Sequence, residues 1–129
     1  LNGEWGKSMD YKEGNLIKEK SFGFALMIIE AYKFLISKSE YVLSKQLLRA
    51  GTTIGANIEE AQASQSRKDF LSKMSVASKE ARETLYWMKL LVQSNFLDDY
   101  QHTDKLVEEI NSIINILTKI VKTVSSTTK

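Results

Sequence analysis

The stretch RAGTTIGANIEEAQASQSRKDF, residues 49–70, decides how the whole chain is read. Its first half holds Gly51, Gly55, Thr52, Thr53 and Asn57, all weak helix formers. Yet QLL precedes it and EEA lies within it, and both favour helix. A phosphate loop is excluded, because GTTIGAN lacks the GK[ST] ending and a preceding strand. Read instead as a helix at about 100° per residue, the segment organises itself. Leu43, Leu47, Ala50, Ile54, Ile58 and Ala61 fall on one stripe, the expected core face. Gln46, Arg49, Thr53, Asn57 and Glu60 fall on a second stripe, roughly 80–120° round. Gly51 and Gly55 lie one turn apart on the other flank, beside Leu48. Each glycine costs about 1 kcal/mol relative to alanine in a helix. Close approach of another helix is the expected compensation.

The polar stripe reads either as a solvated face or as a hydrogen-bonded seam with a neighbouring helix or subunit. In the second case Arg49 pairs with a carboxylate, from Glu60 or from a glutamate of the next helix. That next helix is expected over about 66–94, with Ser66 as N-cap and Asp69 at the third position. Its expected core stripe is Phe70, Met74, Ala77, Ala81, Leu85, Met88 and Val92. Asp69, Val76, Glu80, Glu83 and Trp87 form a mixed stripe. Tryptophan is enriched at interfaces, so this stripe is expected to meet a subunit. Lys68, Lys79, Arg82, Tyr86 and Lys89 form a third sector facing solvent. Basic groups around an aromatic ring suit nucleic acid. The plainer alternative is a solvated face with pairs such as Lys79–Glu83.

Two further helices flank this pair. One is expected over about 21–37, capped by Ser21, with only Glu30 and Lys33 interrupting an apolar cylinder. A helix apolar nearly all round is covered on more than one side, and the second cover is expected from another subunit. The last helix, about 103–124, places Leu106, Ile110, Ile113, Leu117, Ile120 and Val124 at three- and four-residue steps. Thr103 and Asp104 are its expected cap. Asp104, Glu108 and Glu109 lie toward its start and Lys119 and Lys122 toward its end, as the helix dipole favours. Four amphipathic helices with short polar links predict an all-α fold, an antiparallel up-down-up-down four-helix bundle. The expected division is a mostly disordered tail at 1–20, the bundle at 21–125 and a short tail at 126–129.

The bulk numbers agree. The 129 residues suit one domain, and the absence of proline leaves helices uninterrupted. Without cysteine there is neither a disulfide framework nor a thiolate metal site. A net charge of +2 is too small to mark a nucleic-acid binder by itself. Residues 43–96 carry eight Lys/Arg against five Asp/Glu, so any basic surface belongs to the middle of the chain. No apolar run is long enough for a transmembrane helix. The one histidine, His102, falls in a link and reads as a surface residue. No zinc-protease motif, di-iron pair or nucleophile triad is recognisable. The sequence does not read as an enzyme, and no cofactor or metal is expected.

QLLRAGTTIGANIEEA (46–61), SRKDF (66–70) and KEARETLYW (79–87) together resemble a known signature. It is that of the four-helix-bundle proteins encoded in intervening sequences of bacterial 23S ribosomal RNA genes. Ala50 and Thr53 stand where serine is common in that family. The likeness runs over residues 15–124, and NLIKEKSFGFAL (15–26) fits the family's start, pointing to Met9 as the natural first residue. The resemblance implies a ring-shaped homo-oligomer, a pentamer around a channel. The family is also similar in architecture to the accessory protein of diversity-generating retroelements, which works with a reverse transcriptase and RNA. It therefore implies a non-enzymatic adaptor that binds RNA or a nucleoprotein, and the absence of cysteine fits a cytoplasmic place for it. No membrane or small-molecule substrate is expected.

On this reading nucleic-acid contacts come from Lys45, Arg49, Arg67, Lys68, Lys73, Lys79, Arg82 and Lys89. Arg49 is alternatively locked in a structural ion pair. The oligomer interface is expected at Gln46, Arg49, Thr53, Asn57, Glu60, Glu80, Glu83 and Trp87. The alternative function is a protein-interaction scaffold, or a reverse-transcriptase accessory protein, with no direct RNA contact. The small net charge favours that alternative.

Overall fold

The structure, a computed structural model, describes residues 11–126. Four α-helices follow one another: α1 (Tyr11–Ser37), α2 (Leu43–Gln62), α3 (Arg67–Gln93) and α4 (Thr103–Ser126). There is no strand among the described residues. Each helix packs on the next, and α4 closes the square against α1. Cross-helix pairs fix the antiparallel register. Lys20 meets Glu109 while Phe34 meets Tyr100, so α1 and α4 run oppositely. Arg49 meets Glu80 while Lys73 meets Glu60, so α2 and α3 do too.

The α4 stripe is buried as expected: Leu106, Ile110, Ile113, Leu117, Ile120 and Val124 all face the core. On α2 the expected stripe is buried except for half-buried Leu43. On α3 the stripe is turned slightly. Leu85 is half-buried and Val92 is exposed, while Thr84 and Leu91 are fully buried. Helix α3 lies between α2 and α4, and this rotation lets it pack on both. Thr84 is accommodated because its hydroxyl donates to the Glu80 carbonyl at 2.7 Å.

The start of α1 corrects the expectation most. The helix begins at Tyr11, so residues 11–20 are helix and not tail. Ser21 is not a cap. It is a buried mid-helix residue whose hydroxyl donates to the Lys18 carbonyl at 3.1 Å. Ile17 is fully buried, Lys20 bonds Glu109 at 2.9 Å and Lys18 reaches Glu59 at 3.9 Å. Those tertiary contacts hold the polar early turns in helix. Residues 1–10, including Met9, and 127–129 lie outside the described residues.

The helix ends follow local chemistry. α1 and α3 both close with a residue in the left-handed region, Ser39 (φ 64°) and Asn95 (φ 70°). After α1, the Glu40 and Ser39 amides donate to the carbonyls of Leu35 and Ile36, both at 2.9 Å. After α3, the Phe96 and Asn95 amides donate to those of Leu91 and Val92. This Schellman arrangement satisfies carbonyls that the helix leaves open. The buried Glu40 carboxylate then accepts the Val42, Leu43 and Ser44 amides at 3.0, 3.1 and 2.5 Å. One side chain thus satisfies three of the orphan donors that open α2. Ser66 caps α3 as expected, accepting the Asp69 amide at 3.0 Å. Thr103 does not cap α4. Its hydroxyl donates back to the Tyr100 and Leu97 carbonyls, tying down the preceding link.

Candidate nucleic-acid interface

The glycine question is settled by α1. A Cβ built on Gly51 would lie 2.8 Å from Ile28 Cγ1, and Ile28 is fully buried. At Gly55 the nearest atoms belong to Ser21, its Oγ at 3.5 Å and its carbonyl oxygen at 3.6 Å. The bare side of α2 is where α1 comes close, within one chain.

The opposite flank of α2 is ionic. Arg49 sends Nη1 to Glu80 at 3.1 Å and Nη2 to Glu83, while its Nε leans on Gln46 Oε1 at 3.4 Å. Glu83 also accepts the Trp87 indole N–H at 2.9 Å. Asn57, nearly buried, donates to the Thr53 carbonyl at 3.0 Å, and the Thr53 hydroxyl donates to the Arg49 carbonyl. Lys73 bonds Glu60 at 2.9 Å. That hydrogen bond, with the charge of Glu60 behind it, raises the Lys73 pKa above its ordinary 10.5. All eight residues expected at the subunit interface therefore belong to a polar run along α2 and α3. Several are bonded to one another within the chain. Arg49 is engaged in a structural pair, with carboxylates of α3.

The eight expected nucleic-acid residues do not form one patch. Arg49 and Lys73 are held by the carboxylates just described. Lys45 stands exposed in the first turn of α2. Arg67 opens α3, half-buried. Lys68, Lys79, Arg82 and Lys89 lie with Tyr86 in an arc of about 80° on α3, and all five are exposed. Lys79 does not pair with Glu83, which faces Arg49 instead. Lys68, Lys79 and Lys89 make no ion pair within 4.0 Å among the described residues. Arg82 donates from Nη2 to Thr118 Oγ1 at 2.9 Å, which props it against α4. Tyr86 is 56% exposed and packs edge-on against Trp87, ring centroids 5.2 Å apart.

Beside this arc runs a groove of about 250 Å³ between α3 and α4. Leu85, Met88, Val92 and Val107 form its apolar walls, with Lys89, Gln93 and Asn111 at its edges. Sequence reasoning missed it. Assigning Leu85 and Val92 to the core hid the fact that both help line an open channel.

A second feature is the outer face of α1. Phe22, Leu26 and Ile29 follow at helical steps, 65%, 53% and 36% exposed. With Ala25, Thr52, Gly55 and Ala56 they line a shallow apolar groove over α1 and α2. The apolar cylinder read from the sequence is thus covered on its inner side by the bundle and open on its outer side. At the far end of the bundle, exposed His102 rests edge-on against Tyr100, whose ring packs tilted against Phe34. Burial, then the charge of Glu30, raises the Tyr100 pKa above its ordinary 10.0. No group of three or more potential metal ligands occurs among the described residues. Nor is any helix there long and apolar enough to cross a membrane.

The family of 23S rRNA-intervening sequence proteins matches residues 13–119. The chain belongs to that family. It is also similar to a crystal structure of a protein of unknown function from the S23 ribosomal protein family of Bacteroides thetaiotaomicron VPI-5482. Identity is 42%, the TM-score is 0.81, and the match covers 85% of this chain and 98% of that one. No curated protein matches. Neither description names an enzymatic activity.

Proposed function

We propose that this 23S rRNA-intervening sequence protein is a non-enzymatic, homo-oligomeric adaptor that binds RNA. The observation that carries the RNA part is the exposed arc on α3. Lys68, Lys79 and Lys89 keep their charges unspent beside Arg82 and an exposed tyrosine. Phosphate contacts to such cations release counterions, so binding should weaken steeply with salt. The resemblance supports a pentamer, and the absence of cysteine fits a reducing cytosol as its place. The outer face of α1 supports assembly. Three large apolar side chains stand open there, and burying each is worth up to roughly 1.5–3 kcal/mol. Arg49 and Lys73 contribute less to RNA contact, because carboxylates already hold them.

The test is charge reversal. Arg82→Glu with Lys89→Glu should abolish RNA binding, measured by a labelled-RNA shift at low salt, and leave the oligomer unchanged. Undiminished RNA binding by that variant would refute the assignment. The second reading, a protein scaffold or reverse-transcriptase accessory protein without RNA contact, is favoured by the net charge of only +2. It predicts that the wild-type oligomer ignores RNA altogether.

A further inference from the structure

The α3 arc and the α3–α4 groove lie side by side, and together they specify more than a charged surface. Lys89 belongs to both. Three positions before it, about 4.5 Å along the helix axis, stands Tyr86. The residue is more than half exposed, and its ring meets the Trp87 indole edge-on. The indole is itself fixed by its bond to Glu83. An exposed tyrosine steadied by such a contact offers a surface on which a flat ring can stack. Beyond Lys89 the groove has apolar walls and two amides at its edges. Asn111 spends its Nδ2 on the Val107 carbonyl at 2.9 Å, which orients the side chain. Its Oδ1 and the Gln93 amide have no hydrogen-bond partner among the described residues.

We infer that this face takes single-stranded RNA, with one base stacked on Tyr86 and a neighbouring base inserted in the groove between α3 and α4. Resting on the RNA reading above, the inference narrows it to unpaired bases. Apolar walls receive a base's faces, and the Gln93 and Asn111 amides meet its hydrogen-bonding edge. Arg82 and Lys89 take the phosphates on either side. In a duplex the bases are stacked on each other and their pairing edges are occupied, so neither Tyr86 nor the groove would be used. An exposed ring amid cations is the arrangement that binds single strands with little sequence preference.

The experiment is fluorescence anisotropy at low salt with a labelled 12-nucleotide RNA of mixed sequence, alone and annealed to its complement. The protein is wild type, Tyr86→Ala, Tyr86→Phe, Asn111→Ala or Lys89→Ala, each checked for helix content by circular dichroism. The single strand should bind wild type at least about ten-fold tighter than the duplex. Tyr86→Ala should weaken single-strand binding about ten-fold or more, the scale of one base–aromatic stack, while Tyr86→Phe keeps it. Asn111→Ala should weaken it several-fold, and Lys89→Ala should weaken both RNAs alike. Equal binding of duplex and single strand, or no effect of Tyr86→Ala, overturns the unpaired-base site and leaves the RNA reading standing. No binding of either RNA overturns both.

Discussion

The two flanks of α2 solve the same packing problem in different ways. Toward α1 the helix is stripped to Gly51 and Gly55; Ile28 presses into the space at Gly51, and Ser21 lies at ordinary contact distance from Gly55. Toward α3 it carries Arg49, which reaches across to Glu80 and Glu83. The first contact is buried at Gly51 and set there by volume. The second is polar, and Arg49 is about half exposed to solvent. Volume errors at a close-packed contact cannot relax, whereas an ion pair at the surface is replaced by water at little cost. The glycine flank should therefore be sensitive to single atoms, and the ionic flank sensitive chiefly to salt.

Breaking the buried contact should have the largest effect. Ile28→Ala should lower unfolding stability by about 2–5 kcal/mol in denaturant titration, as buried large-to-small changes do. Its cost should shrink in a Gly51→Ala background, because the new methyl fills part of the space Ile28 vacates. Gly51→Ala alone should be destabilising by about 1–2 kcal/mol. Overpacking against stiff, buried Ile28 outweighs the gain in helix propensity. Gly55→Ala should go the other way and stabilise by up to about 1 kcal/mol, since its nearest neighbours lie at ordinary contact distance. Opposite signs for two glycines one turn apart would show that the volume of Ile28 sets the cost, and equal signs would contradict that.

On the ionic flank, Arg49→Ala should cost only about 0.5–1 kcal/mol, and less in 1 M salt. The smallest effect is that of pH. Lys73 and Tyr100 both hold their protons more tightly in the folded state. Their contributions are complete below about pH 10 and are lost as pH rises through the raised values. An alkaline fall in melting temperature, reduced by Tyr100→Phe, checks this.

Much of this was legible in the chain. Every residue of the expected α4 stripe is buried, because a three- and four-step apolar pattern has one reading; only Ile114, beside it, was left out. The glycines of α2 were correctly placed on a helix, since the stripe from Leu47 to Ala61 continues through them. The early turns of α1 were not legible. Their polar run carries no apolar stripe, and its anchors, Ile17 and Lys20, find their partners in the core and on α4. Likewise Glu40 gave no local signal of capping three amides, because that needs the turn made by Ser39. On the candidate site, the arc from Lys68 to Lys89 followed from helical phase. The groove beside it did not, since phase alone cannot say that Val92 stays open while Leu91 is buried.

The most direct test of the proposed function is light scattering coupled to size exclusion, with and without cellular RNA, at low and high salt. An oligomer is expected, five chains by the family resemblance, whose peak carries RNA at low salt and sheds it at high salt. A monomer, or an oligomer that never carries RNA, would contradict the proposed function.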